Sequence, residues 1–116
     1  MTALDYLIQS AKLCGHDVVT EYRATSRGVV ITPQTFTVRR IYGQNVRIVD
    51  YRCQITSIGE EVANGKLFDS MEALSIAFEK DQTAGGNASE IIVGQWNAVE
   101  MDKNYATFQA TITVKE

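Results

Sequence analysis

The feature that most constrains this chain is a strict alternation of apolar and polar residues in its middle. Over residues 46–57 the apolar positions that share one face are Val49, Tyr51, Cys53 and Ile55. A period of two is typical of an antiparallel strand with one buried and one solvent-facing side. A slip of one residue would bury Asp50 and Arg52, so the pattern also fixes the register of the strand. We therefore predict a sheet with one apolar face.

The last third of the chain repeats this alternation and predicts a hairpin. Its two strands are residues 90–101 and 105–114, and the three residues 102–104 between them form the turn. The apolar face of the last strand consists of Ala106, Phe108, Ala110, Ile112 and Val114. The intervening positions are mostly threonine, which suits β-structure on a polar face.

Shorter β-rich segments complete the predicted sheet. They cover residues 17–23, 28–32 and 34–42, and a turn at 43–45 follows the last of them. Pro33 is the only proline in the chain. Because proline has no N–H to donate to a strand ladder, we expect it at a strand end, a bulge or a sheet edge.

Two amphipathic segments predict helices. The first begins at Thr2, with Asp5 three residues later in a capping-box pattern, and ends near Gly15. Its apolar stripe consists of Ala3, Leu4, Leu7, Ile8 and Ala11. The second helix spans residues 66–80, and the apolar residues that share its face are Leu67, Met71, Leu74 and Phe78.

These elements predict one α+β domain over residues 1–116, in the order α-β-β-β-β-α-β-β. We expect an antiparallel sheet of five to six strands with both helices on one face, because the apolar side of a sheet must be covered. The chain is 45% hydrophobic and 22% charged, which is typical of a globular protein. A domain of this size can bury a core without disulfides or metals.

The residues needed for catalysis or metal binding do not come together in the sequence. His16 is the only histidine and follows a helix-terminal glycine, where we expect it to satisfy helix carbonyls. Residues 59–66 resemble a phosphate loop, but Leu67 stands where that loop needs serine or threonine. Cys14 and Cys53 lack the spacing of metal ligands. We therefore predict no enzymatic activity, no cofactor and no metal.

The N-terminus and the cysteines favour folding in a reducing compartment. Residues 1–6 lack the basic start of a secretory signal. We accordingly expect both thiols to be reduced and packed as small apolar groups. No segment approaches the about 20 apolar residues that a membrane-spanning helix needs, so we predict no membrane partner.

The charges are distributed unevenly, although the net charge of -3 argues against nucleic-acid binding through overall charge. Arginines flank the turn near Tyr42, and acidic residues precede and follow the start of the second helix. The interface candidates are Arg39, Arg40, Tyr42, Arg47, Arg52, Glu60 and Glu61. These charges either keep strand faces solvated and discourage edge pairing, or they form complementary surfaces for a head-to-tail ring. Trp96 leaves a similar choice between the core of one subunit and cover by a neighbour.

Four segments together carry a family resemblance. They are the Arg-Arg-Ile-Tyr-Gly turn at 39–43, the strand at 46–55, the helix at 64–80 and the alternating strand at 106–114. In this order they resemble small minor capsid or tail-completion proteins of tailed bacteriophages and prophages, which include tail terminators. Tyr42 stands where that family usually has an aspartate before the turn glycine. The resemblance carries over only the turn and the following strand, as interface candidates.

The resemblance implies a virion structural protein that is assembled in the bacterial cytoplasm. Such subunits form a ring, often a hexamer, that ends polymerisation of the tail tube and provides the surface where the head docks. The implied partners are copies of the chain, tail-tube proteins and neck or head-completion proteins. An alternative is a small non-enzymatic bacterial module that binds a ligand or peptide between helices and sheet, which requires an apolar pocket with a few polar groups.

Overall fold

A computed structural model describes residues 2–16, 18–19, 28–58, 66–86, 88–101 and 105–116. These residues form two α-helices, α1 (Ala3–Leu13) and α2 (Lys66–Glu79), with a 3₁₀ turn at Ala84–Gly86 after α2. The strands are β1 (Val18–Val19), β2 (Gly28–Ile41), β3 (Gln44–Ile58), β4 (Glu90–Val93), β5 (Asn97–Met101) and β6 (Tyr105–Lys115).

The strand pairing confirms the predicted fold class. The sheet has the order β1-β2-β3-β6-β4, and β5 also pairs with β6. Strands β2 to β6 pair in antiparallel fashion, whereas the two residues of β1 run parallel to β2. Most of the strand predicted at 17–23 lies outside the described residues, as does the turn predicted at 102–104.

One face of the sheet is buried beneath both helices, as the alternation predicts. The predicted apolar residues of β3 and β6 are all exposed by 9% or less. The predicted apolar residues of α2 are exposed by 5% or less, and Ala3, Leu7 and Ala11 of α1 are fully buried. Side chains from the helices and the sheet form one hydrophobic cluster. The core therefore lies between a sheet and a layer of two helices.

The two helices are tied to each other as well as to the sheet. The predicted capping box of α1 is confirmed, since Thr2 Oγ1 accepts the N–H of Asp5 and the Asp5 carboxylate accepts the N–H of Thr2. The Tyr6 hydroxyl donates to the carbonyl of Ala77 at 3.5 Å and accepts the N–H of Asp81 at 3.2 Å. These bonds connect the middle of α1 to the end of α2.

The proline segment is continuous where the sequence predicts two strands. Residues 28–32 and 34–41 form the single strand β2, with a register shift between Pro33 and Thr35. The pairing of β1 involves only Val29 and Val30 of β2, so in the described residues Pro33 lies on an edge of the sheet. A missing N–H is tolerated there. Of the three predicted outcomes for Pro33, the bulge and the edge are observed together.

The strand predicted at 90–101 is interrupted between β4 and β5. Residues 94–96 leave the ladder, although the N–H of Gly94 still donates to the carbonyl of Thr111 at 2.8 Å. The indole N–H of Trp96 donates to Ser75 Oγ of α2 at 2.8 Å, and the ring packs against the domain's own core. The structure therefore favours the first of the two interpretations of Trp96.

We expect the two free thiols to differ in reactivity. Burial raises the pKa of Cys53 to about 12, so its reactive thiolate is nearly absent at mildly alkaline pH, and its side chain has no exposed surface. Cys14 is half-buried after α1. A disulfide reagent such as DTNB should therefore modify one thiol in the folded protein and the second only after denaturation.

Cys14→Ser is the control for this measurement. DTNB should modify no thiol in the folded variant and one thiol, that of Cys53, in the unfolded variant. Rapid modification of two thiols in the folded wild-type protein would contradict the burial of Cys53.

Candidate functional site

The β2–β3 hairpin extends beyond the part of the sheet that the helices cover. β6 pairs with β3 only as far as Ile48, whereas β2 and β3 stay paired out to Ile41 and Gln44. Residues 33–40 of β2 are all exposed, and the molecule measures 52 × 22 × 21 Å. We call residues 36–47 the arm. From Phe36 to Ile41, the last strand residue before its tip, the arm extends by about 17 Å, at about 3.4 Å per residue.

The bulge at the base of the arm decides which side chains each face displays. The register shift between Pro33 and Thr35 makes Gln34 an extra residue in β2. Beyond it, Phe36 lies opposite Val49 and therefore shares the face that the helices cover further along the sheet. This helix-side face of the arm carries Phe36, Val38, Arg40, Asn45 and Arg47. The opposite face carries Thr37, Arg39, Gln44 and Val46.

Two large apolar side chains lie uncovered on the helix-side face of the arm. Phe36 is 60% exposed and Val38 is 51% exposed. The alternating sequence predicts that they belong to a strand face, but it carries no signal that the helices stop short of them. Exposed apolar groups that are rimmed by polar residues are typical of interaction surfaces.

Arg47 and the last residue of the chain hold the base of the arm on its helix side. The guanidinium of Arg47 lies 5.2 Å from the centroid of the Phe36 ring. Its Nε is 3.1 Å from the carboxylate of Glu116, whose own N–H donates to the carbonyl of Arg47 at 2.8 Å. These contacts orient the Phe36 ring and join β2, β3 and the segment that follows β6.

Asp50 holds the base of the arm on the opposite face. Its carboxylate accepts hydrogen bonds from Thr35 Oγ1 at 2.6 Å and from Thr113 Oγ1 at 2.7 Å. Because Thr35 lies on β2 and Thr113 on β6, one charged side chain bridges three strands. Hydrogen bonds to a charged group are stronger than neutral ones. The arm therefore leaves the domain from a base that is held on both faces.

The tip of the arm is a two-residue turn at Tyr42 and Gly43. Both residues have positive φ angles, 51° and 77°, as in the primed turns that match the twist of a hairpin. The turn predicted at residues 43–45 is wrong in position and length: the left-handed positions fall on Tyr42 and Gly43, and Gln44 already begins β3. Tyr42 is fully exposed. An aromatic ring is thus displayed where folding alone favours glycine or asparagine.

The structure places four of the seven interface candidates on the arm. Arg40 and Arg47 share its helix-side face, Arg39 lies on the opposite face and Tyr42 forms the tip. Arg39 and Arg47 therefore lie across the same hairpin, as considered from the sequence, but they point to opposite sides of it. The basic charge of the arm is consequently presented on both faces.

The other three candidates lie elsewhere. Arg52 is half-buried on the polar face of the sheet, where it is paired between Thr32 of β2 and Thr111 of β6. Glu60 and Glu61 lie outside the described residues. Among the described residues, Asp69 and Glu72 of the second helix are acidic and exposed.

The outer face of α2 displays apolar and acidic residues together. Phe68 and Ile76 are each 62% exposed, and Glu72 lies between them at four-residue spacing with Asp69 beside it. The Phe68 ring meets Phe108 edge-on, with 5.8 Å between centroids. The four-residue spacing of Phe68, Glu72 and Ile76 is a signal in the sequence that could have identified this face. We call Phe68, Asp69, Glu72, Ala73 and Ile76 the α2 ridge.

A separate cleft of about 440 Å³ lies where α1 meets the end of α2. Its walls are formed by Tyr6, Ser10, Leu13, Cys14, Ala77, Lys80 and Asp81. The cleft is open to solvent and combines an apolar wall with a few polar groups at one end. It has the composition of a site for a small ligand, without a nucleophile paired to a base.

No metal centre and no membrane-spanning helix is found among the residues that the structure describes. Within that part of the chain, no three His, Cys, Asp or Glu side chains are placed to hold a metal ion, and no helix is long and apolar enough to span a bilayer. Comparison of the chain with models of protein families and with characterised proteins finds no match. The function must therefore be argued from the surfaces described above.

We expect Tyr42→Asn to stabilise the isolated protein. Asparagine adopts the left-handed region at lower cost than tyrosine, and the exposed ring makes little contact that could be lost. The free energy of unfolding should rise by about 0.5–1 kcal/mol, which urea denaturation can measure.

Tyr42→Ala is the matched control, because it removes the ring but retains a Cβ at the positive φ. Its stability should stay close to that of the wild type. A clear loss of stability in Tyr42→Asn would show that the ring does stabilise the isolated domain.

Proposed function

We propose that this protein is a virion structural subunit of a tailed bacteriophage or prophage. It acts as a tail terminator or head–tail neck component that forms a ring on the end of the tail tube. The ring ends polymerisation of the tube and provides the surface where the head docks. The partners are copies of the chain, the tail-tube protein and neck or head-completion proteins, and no catalytic step or cofactor is involved.

The arm is the observation that carries this proposal. It is a firmly based extension that leaves Phe36, Val38 and Tyr42 at least half exposed, with arginines on both of its faces. Residues 39–43, one of the four segments that carry the resemblance to tail-completion proteins, form the end of its first strand and its tip. A subunit with a long hairpin that presents an exposed surface is suited to bind its neighbours in an assembly.

A second candidate function is supported by the cleft between α1 and the end of α2. The interface between helices and sheet is filled by the side chains of the core, so a ligand would bind in the cleft and not beneath the helices. In that case the protein would be a small non-enzymatic module that binds a ligand or a peptide. This function leaves the arm without a role, and we therefore rank it second.

Light scattering and electron microscopy with tail tubes test the two functions. The expected result is either a ring in solution or a monomer that assembles on the ends of tubes built from the tail-tube protein of the same genome. Tubes grown in its presence should be shorter, because capped ends stop growing. A strict monomer that leaves tube length and tube ends unchanged would overturn the proposal.

A further inference from the structure

We propose that the arm of one copy docks on the α2 ridge of the next copy. This inference rests on the ring assembly proposed above and deepens it, because it names the two surfaces that join neighbouring subunits. The arm contributes its helix-side face and the ridge contributes the outer face of α2.

The apolar groups of the two surfaces match in size and in exposure. Phe36 and Val38 on the arm, like Phe68 and Ile76 on the ridge, are each more than half exposed. Phe36 to Arg40 spans about 14 Å along the strand, and Phe68 to Ile76 spans about 12 Å along the helix. One face of the arm can therefore cover the apolar length of the ridge and remove both from water.

The charges of the two surfaces are opposite. The helix-side face of the arm carries Arg40 and Arg47, of which Arg47 is already paired with Glu116, and it carries no acidic residue of the arm. The ridge carries Asp69 and Glu72 and no basic residue. Arg40 shares the helix-side face with Phe36 and Val38, so the acidic and apolar groups of the ridge meet their complements on one face. Contact between two arms, or between two ridges, brings like charges together and is disfavoured.

The geometry of the contact repeats the packing inside the domain. The arm continues the sheet face that packs on the buried side of α2, because Phe36 lies opposite the buried Val49. A second copy's α2 can therefore lie on the arm as a helix lies on a sheet. Two different surfaces are joined, so the contact is head-to-tail and produces a closed ring when the rotation between copies closes.

A pair of charge reversals in separate chains tests this contact. Arg40→Glu in one chain and Glu72→Arg in the other should each weaken self-association by about 10- to 100-fold, because attraction becomes repulsion. When the two variants are mixed in equal amounts and alternate in the assembly, every arm again faces a ridge of opposite charge. Association should then return to within about threefold of the wild type.

Light scattering up to about 100 μM protein measures the association, since micromolar interfaces are occupied at that concentration. Where the wild type assembles only on tube ends, the same single variants and their mixture are scored there by electron microscopy. Thermal unfolding verifies that each variant is folded. Raised salt should weaken the wild-type contact, because exposed ion pairs are screened.

Two controls carry the same change of charge at other places. Lys12→Glu on the exposed surface of α1 should leave association unchanged. Arg39→Glu lies next to Arg40 but on the opposite face of the arm, so it should have a smaller effect than Arg40→Glu. Equal losses in Arg39→Glu and Arg40→Glu would overturn the assignment of the helix-side face.

The outcomes separate this contact from the proposed function. If the wild type assembles but the mixture does not, the arm–ridge contact is wrong while ring assembly stands. If the wild type neither associates nor binds tubes, both proposals are wrong. Binding of the arm to a DNA oligonucleotide, lost in Arg40→Glu without any self-association of the wild type, would likewise overturn the contact in favour of a nucleic-acid partner.

Discussion

Burial of one face of the sheet beneath the helices is the constraint on which the rest of this structure depends. Helices α1 and α2 contain 11 and 14 residues and are about 17 and 21 Å long. Strands β2 and β3 contain 14 and 15 residues and extend for about 50 Å. The helices therefore cover only part of the longest strands. The arm is the physical consequence of this difference in length.

The arm can extend beyond the helices because its backbone hydrogen bonds are satisfied within the hairpin, whereas only its side chains remain exposed. Its backbone groups continue the β2–β3 ladder out to Ile41 and Gln44, so their hydrogen bonds do not depend on the helices. Its apolar side chains stay in water, and a two-stranded ribbon alone is only marginally stable. The contacts of Arg47 with Glu116 and of Asp50 with two threonines compensate at the base. Tyr42 holds a left-handed conformation that is costly for a residue with a bulky side chain.

The two exposed surfaces carry charges of opposite sign. A chain of net charge -3 carries its arm arginines at one extremity and two acidic residues on the outer face of α2. Apolar groups on both surfaces favour association in general, whereas opposite charges favour one arrangement over the others. A surface that attracts a different surface of the same molecule leads to head-to-tail assembly and not to a symmetric pair.

The sequence by itself determined the capping box of α1, the buried faces of β3, β6 and α2, and the presence of an irregularity near Pro33. Each of these depends on contacts between residues close in the chain or on a simple period of burial, which local patterns record. Only the tertiary structure decided the faces of the arm, because the single extra residue Gln34 exchanges the two sides of β2. It also decided the interruption of the strand at residues 94–96, where Trp96 turns towards Ser75 of a distant helix. The exposure of Phe36 likewise depends on where two helices end over a longer sheet, and no local pattern contains that information.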